Sequence, residues 1–295
     1  MTDADDVGKW LSLTDFEPGS YKNKRGHVLI AAGSRNYSGA AVLAGNAAIH
    51  SGVGLVTIMT PDSCLPVVAS RVDPEVMVRG GSETASGAFS EKAITDITDF
   101  DGNVDLIAVG PGLSSTDEST KQFVRRLVAE RTTPLIIDAD ALNCLAPWGI
   151  LGSLELPLIL TPHDGEFARL TGMHEKASVD DRIETARQFA AKFNLILLLK
   201  GERSIVAEPS GRVLINPTGG PGTGKAGNGD TLTGILAGFA AQAVKMGVGL
   251  FETTAVALYL AGMAGEIASD RFGDRVMSAS DVRKCLGDAI RQIRE

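Results

Sequence analysis

The stretch GGPGTGKAGNGD, residues 219–230, holds the residues most able to do chemistry. Gly219 and Gly224-Lys225 have the spacing of a P-loop, where backbone N–H groups cradle phosphates and a final Ser or Thr binds Mg²⁺. Here the final position is Ala226, which offers no metal ligand, and Lys225 is followed by Ala-Gly-Asn-Gly, which resists helix formation. The helix is therefore expected later, from Gly229 onward, where Leu232, Ile235, Leu236 and Phe239 recur at helical spacing. A Gly-rich turn ending on a helix N-terminus presents free N–H groups and a partial positive charge, and so binds an anion. Gly227 and Gly229 allow close backbone approach. Asp230 has two readings: a base that takes a proton from a hydroxyl reacting with a phosphate, or a helix N-cap.

Elements that could position these residues alternate along the chain. Short apolar runs, HVLIAAG, GLVTIMT, VDLIAVGPG, PLIIDAD, PLILTPHDGE and LILLLKG, are separated by helical patterns such as GAAVLAGNAAIHSG, TDESTKQFVRRLVAE and SVDDRIETARQFAAKF. This is the pattern of parallel strands joined by crossover helices, with ligands at the carboxyl edge of the sheet. SIVAEPSGRVLINP instead reads as an antiparallel edge hairpin. Three further helical segments follow, starting near Gly229, Leu250 and Ser278.

At 295 residues the chain suits one large α/β domain, residues 21–295, preceded by an acidic extension over residues 1–20. A formal charge of −8 argues against nucleic acid as a generic partner, so an anionic ligand must be held by local groups. Cys64, Cys144 and Cys285 are odd in number and far apart, which fits a reducing compartment. The N-terminus lacks the apolar core of a signal peptide and no apolar run reaches membrane-spanning length; a cytoplasmic protein without membrane contact is expected.

Taken together and in order, GSRNYSGAAVLAGNAAIHSGVGLVTIMTP, AVGPGL, IIDADALN, LTPHDGE, KGERS and NPTGGPGTGKAGNGDTLTGILAG resemble the NAD(P)H-hydrate dehydratases, over roughly residues 20–290. The resemblance implies a ribokinase-like α/β/α sandwich with a mainly parallel central sheet. It also implies dehydration of the S-epimer of hydrated NADH or NADPH, driven by ADP or ATP with Mg²⁺, ADP being favoured, and a homotetramer supplied by a separate epimerase.

Residue by residue, the resemblance makes Asp230 the catalytic Asp and Gly227, Asn228 and Gly229 the anion hole. Lys200, Gly201, Glu202, Arg203 and Ser204 match the nucleotide segment K-G-x-x-T, with Ser204 keeping the hydroxyl. His163, Ala40 and Gly112 match positions that meet the hydrated dinucleotide, and Glu166 matches a carboxylate of the ribokinase-type N-x-x-E metal-and-phosphate motif. The family's loop more often carries Met-Ala-Thr or Met-Ala-Ser where this chain has Thr223-Gly224-Lys225, which places Lys225 as a contact to the β-phosphate. Simpler roles remain open for several of these residues. Lys200 also reads as a solvated charge closing its strand, His163 as a structural His, Glu166 as a first-turn helix carboxylate, and Ala40 and Gly112 as helix-packing residues. Asp138, Asp140 and Asn143 suit ordering water or Mg²⁺ near phosphates, or capping the next helix. The competing functions are a kinase of the same superfamily acting on a vitamin-precursor alcohol, and a nucleotide-binding protein without turnover.

Overall fold

Period-2 alternation within apolar strands places side chains on both faces of one sheet, and both faces are covered. The computed structural model describes residues 2–100, 103–150, 152–153, 155–172 and 179–295. Its first helix, α1 (Ala4–Leu13), precedes β1 (His27–Ala31), α2 (Ser38–His50), β2 (Leu55–Pro61), the short α3 (Leu65–Ala69) and β3 (Met77–Gly81). There follow α4 (Ala93–Thr98), β4 (Leu106–Val109), α5 (Glu118–Glu130), β5 (Leu135–Ile137), α6 (Ala139–Leu145), β6 (Leu158–Leu160) and α7 (Asp164–Thr171). The remainder is α8 (Val179–Phe193), β7 (Ile196–Leu199), the hairpin β8 (Ile205–Ala207) and β9 (Val213–Ile215), and then α9 (Asn228–Met246), α10 (Leu250–Phe272) and α11 (Ala279–Arg294). The helix expected from Ser178 has that first residue outside the described residues.

Among the described residues the strands form one sheet of order β3-β2-β1-β4-β5-β6-β7-β8-β9. β3 through β7 are parallel, and β8 and β9 complete the edge as the expected antiparallel hairpin. Val28, Ile30, Ile58, Ile136 and Leu198 face a core shared with α2, α9 and α10. Leu29, Ile107, Ile137, Leu160 and Leu197 face a second core with α5, α6, α7 and α8. This is the three-layer sandwich. No described helix is long and apolar enough to cross a membrane.

α9 is fixed by close backbone approach to α2. A Cβ on Gly234 would fall 2.1 Å from Ala44 O, and one on Gly238 would fall 1.8 Å from Ser51 Oγ. α1, within the expected extension, docks on the same domain: Val7, Trp10 and Leu11 are buried, and Trp10 Nε1 donates to Thr253 Oγ1 at 2.9 Å.

Candidate active site

Three neighbouring strands deliver charged residues to one spot at the sheet's carboxyl edge: Asp138 after β5, His163 and Glu166 after β6, and Lys200 after β7. Lys200 Nζ donates to Asp138 Oδ1 at 2.7 Å and lies 3.9 Å from Glu166 Oε2. Asp138 Oδ2 accepts from Thr233 Oγ1 at 2.5 Å. Burial alone would lower the Lys200 pKa, but the Asp138 and Glu166 carboxylates outweigh it and hold the ammonium above its ordinary value. Burial would likewise raise Asp138, yet Lys200, Thr233 and Thr161 keep it below the usual carboxylate range. Both groups are charged, and Lys200 is no solvated strand end.

The N-terminus of α9 lies beside this pair. Gly227 is the N-cap, with φ +89°, and the helix begins at Asn228, one residue before the expected start. Asp230 is therefore the third helical residue and not the cap, so its carboxylate is free of a capping task. Burial first, then the Asp138 charge, push Asp230 up to about 6, with Lys200 opposing and Asp140 adding to the rise. Buried Asn228 Nδ2 and Thr231 Oγ1, on the same helical turn, have no hydrogen-bond partner among the described residues. Orphaned donors at a helix N-terminus are what an incoming anion would satisfy.

A cavity of about 980 Å³ opens here and brings together much of the expected nucleotide set. His163, all of Lys200–Ser204, Lys225, Asn228 and Gly229 line it. Ser204 Oγ accepts from Gly201 N and donates to Gly201 O, closing the turn on itself. Arg203 takes a left-handed conformation, φ +54°. Arg182, a residue with no recognisable signal in the sequence, clamps the turn from α8 by donating to Lys200 O and Glu202 O while bonding Asp164. Lys225 lines the cavity, but its ammonium donates to Arg275 O at 2.7 Å and Met277 O at 2.8 Å, tying the loop to the α10–α11 connection. To meet a phosphate it would have to leave both carbonyls.

Ala40 and Gly112 lie outside that cavity's lining, against each other: a Cβ on Gly112 would fall 2.9 Å from Ala40 Cβ and 2.6 Å from Tyr37 O. Ser34 Oγ donates to Gly112 O at 2.7 Å, and Asp140 accepts from Ser114 N at 2.9 Å. Asp230 feels the charges of both Asp138 and Asp140; neither it nor Gly227 is among the residues lining the cavity, although Asn228, Gly229 and Thr231 around it are. His163 caps α7: its Nδ1 accepts from Gly165 N and Glu166 N, while Glu166 Oε2 accepts from His163 N. The cap leaves the His163 ring half-exposed towards the cavity.

Glu166 is not free to ligate a resident magnesium directly. Its oxygens already face the His163 N–H, the His163 ring and Lys200, and both Asp138 oxygens are engaged. No group of three or more His, Cys, Asp or Glu among the described residues could hold a metal.

Sheet order, layers and a carboxylate on the first turn of a helix whose N-terminal donors are unpartnered define a ribokinase-like protein, and a crystal structure of the ADP/ATP-dependent NAD(P)H-hydrate dehydratase of Bacillus subtilis, co-crystallised with ATP and Mg²⁺, overlays with a TM-score of 0.82. That match is 30% identical and covers 99% of this chain and 97% of the other. A family model described as NAD(P)H-hydrate dehydratase matches residues 28–287, so the chain belongs to that family. The bifunctional NAD(P)H-hydrate repair enzyme Nnr of Moorella thermoacetica is 41% identical over 280 residues, covering 95% of this chain and 52% of that one. The ADP-dependent (S)-NAD(P)H-hydrate dehydratase of Xanthomonas campestris pv. campestris is 37% identical over 230 residues, 76% of this chain and 75% of the other. The chain spans about half the length of the bifunctional relatives it matches.

Proposed function

We propose that this chain dehydrates the S-epimer of hydrated NADH or NADPH, using ADP in preference to ATP, and releases NADH or NADPH and phosphate. The observation that carries the reading is Asp230, half-buried on the first turn of α9, directly after the cavity-lining Asn228 and Gly229, and spared from capping. Its carboxylate takes the proton of the ring hydroxyl as that oxygen attacks the terminal phosphorus of the nucleotide. AMP leaves when ADP is the donor, and the N–H groups at Gly227–Gly229 receive the charge of the transferring group. The hydroxyl, a poor leaving group, has become a phosphate ester. Its C–O bond breaks with phosphate taking the electron pair, and loss of a ring proton restores the double bond.

The Lys200–Ser204 turn would seat the nucleotide, and His163 with the small residues Ala40 and Gly112 would admit the dinucleotide. Magnesium would be carried by the nucleotide's phosphates. A cytoplasmic homotetramer, receiving the S-epimer from an epimerising enzyme, completes the proposal. Light scattering of the purified chain tests the assembly.

The deciding assay incubates the protein with hydrated NADH, Mg²⁺ and ADP or ATP, and follows the return of reduced-nicotinamide absorbance. Recovery with ADP that falls by about 10²–10⁴ in Asp230→Asn is expected, the range for losing a general base. Nucleotide binding without recovery, together with a stable phosphate ester on an alcohol acceptor, would establish the kinase instead.

A further inference from the structure

Asp138 and Glu166 are two buried carboxylates directly beneath a helix end that is expected to receive phosphate, with side-chain exposures of 1% and 7%. Uncompensated, they would repel the same ligand that the N-terminus of α9 attracts. A divalent cation between two such carboxylates would answer the problem. In this chain the position between them is filled by Lys200; the other Asp138 oxygen accepts from Thr233, Glu166 Oε2 also accepts from the His163 N–H, and Glu166 Oε1 lies 3.5 Å from the His163 ring nitrogen.

We propose that Lys200 is a built-in cation standing where a protein-bound metal would sit between Asp138 and Glu166, and that it serves as a positioning residue for Asp230 more than as a grip on the nucleotide. Asp138 ties Lys200 to Thr233, and Thr233 lies three residues after Asp230, one helical turn along the same side of α9. The chain of bonds fixes the rotation of the turn that carries the base. A Cβ on Gly229 would stand 3.8 Å from Lys200 Nζ, so the ammonium adds its charge directly under the anion-binding backbone. The role assigned to Asp230 rests on the dehydratase reading; the charge arrangement does not.

Two binding measurements, one kinetic comparison and one stability cycle test this. Calorimetric titration of the nucleotide-free wild-type chain with MgCl₂ is expected to show no binding. A site that is lost in Glu166→Gln would overturn the proposal. In Lys200→Met, the Kd for ADP should rise by no more than about threefold while kcat falls about a hundredfold, since the lost group acts on the step more than on binding. A tenfold rise in Kd with kcat kept would make Lys200 a nucleotide ligand and overturn it. Lys200→Met should also lower Tm by stranding buried carboxylates, and adding Asp138→Asn should recover part of the loss. Independent, additive losses would count against the pair. Should Lys200→Met fail to fold, Thr233→Val cuts the same chain of bonds: kcat should fall with the Kd for ADP kept, and an unchanged kcat would overturn the positioning role.

Discussion

Asp230 is the proposed base, and its environment sets a pH limit on that role. A general base works deprotonated, and the deprotonated fraction grows as pH rises through its pKa. With Asp230 at about 6, kcat/KM should fall with a slope of one below about pH 6. An unperturbed Asp would sustain activity to about pH 4. Phosphate also titrates near 6, so the wild-type profile alone is ambiguous. Asp140→Asn separates the two, because removing the Asp140 charge lowers only the protein group. The amide oxygen of Asn can still accept from Ser114 N, which Asp140 bonds at 2.9 Å. The acid limb of Asp140→Asn should therefore move to lower pH. A limb that stays in place would assign it to the nucleotide.

Among the elements, α9 carries most of the site, and its N-terminus depends on one glycine. Gly227 is left-handed, and a Cβ there would meet Leu43 Cδ1 at 2.6 Å and Ala279 Cβ at 3.3 Å. Gly227→Ala should cost about 1–3 kcal/mol in strain and displace the N–H groups proposed to bind the phosphate. A lower Tm and weaker ADP binding by calorimetry are expected, and unchanged ADP affinity would remove the N-cap from the phosphate site. The run of glycines announced this turn in the sequence, as apolar runs announced the inner strands. Other elements were silent for physical reasons. β3 is an edge strand, MVRGG, whose outward residues lack the apolar continuity of the buried strands. α1 hides an inward-facing Val7, Trp10 and Leu11 among acidic residues and a Gly. Part of the site was equally hidden. The Lys200–Asp138 bond joins residues 62 apart and exists because β5, β6 and β7 are adjacent in the sheet. Nothing local to Arg182 reveals that it clamps the Lys200–Ser204 turn.

Across the whole molecule, α10 joins two regions of different purpose. Leu258, Ala261 and Gly262 line the nucleotide-sized cavity, while nearer its start Thr253 accepts from Trp10 of α1. Trp10 also packs on Phe239 of α9, with ring centroids 5.0 Å apart. The N-terminal helix is thus bonded to both long helices that frame the site, yet it contributes no residue to the cavity lining. Such an element should act on stability while leaving the chemistry intact. Trp10→Ala should destabilise the protein by about 3–5 kcal/mol, as expected for emptying a buried indole site. Trp10→Phe keeps a ring against Phe239 and gives up only the bond to Thr253, so a smaller loss of about 0.5–1.5 kcal/mol is expected. Both should show wild-type kcat and KM when assayed well below their melting transitions. If Trp10→Ala loses activity while still folded, α1 shapes the site through α10; if neither variant changes denaturant midpoint, α1 stands outside the cooperative unit despite its burial.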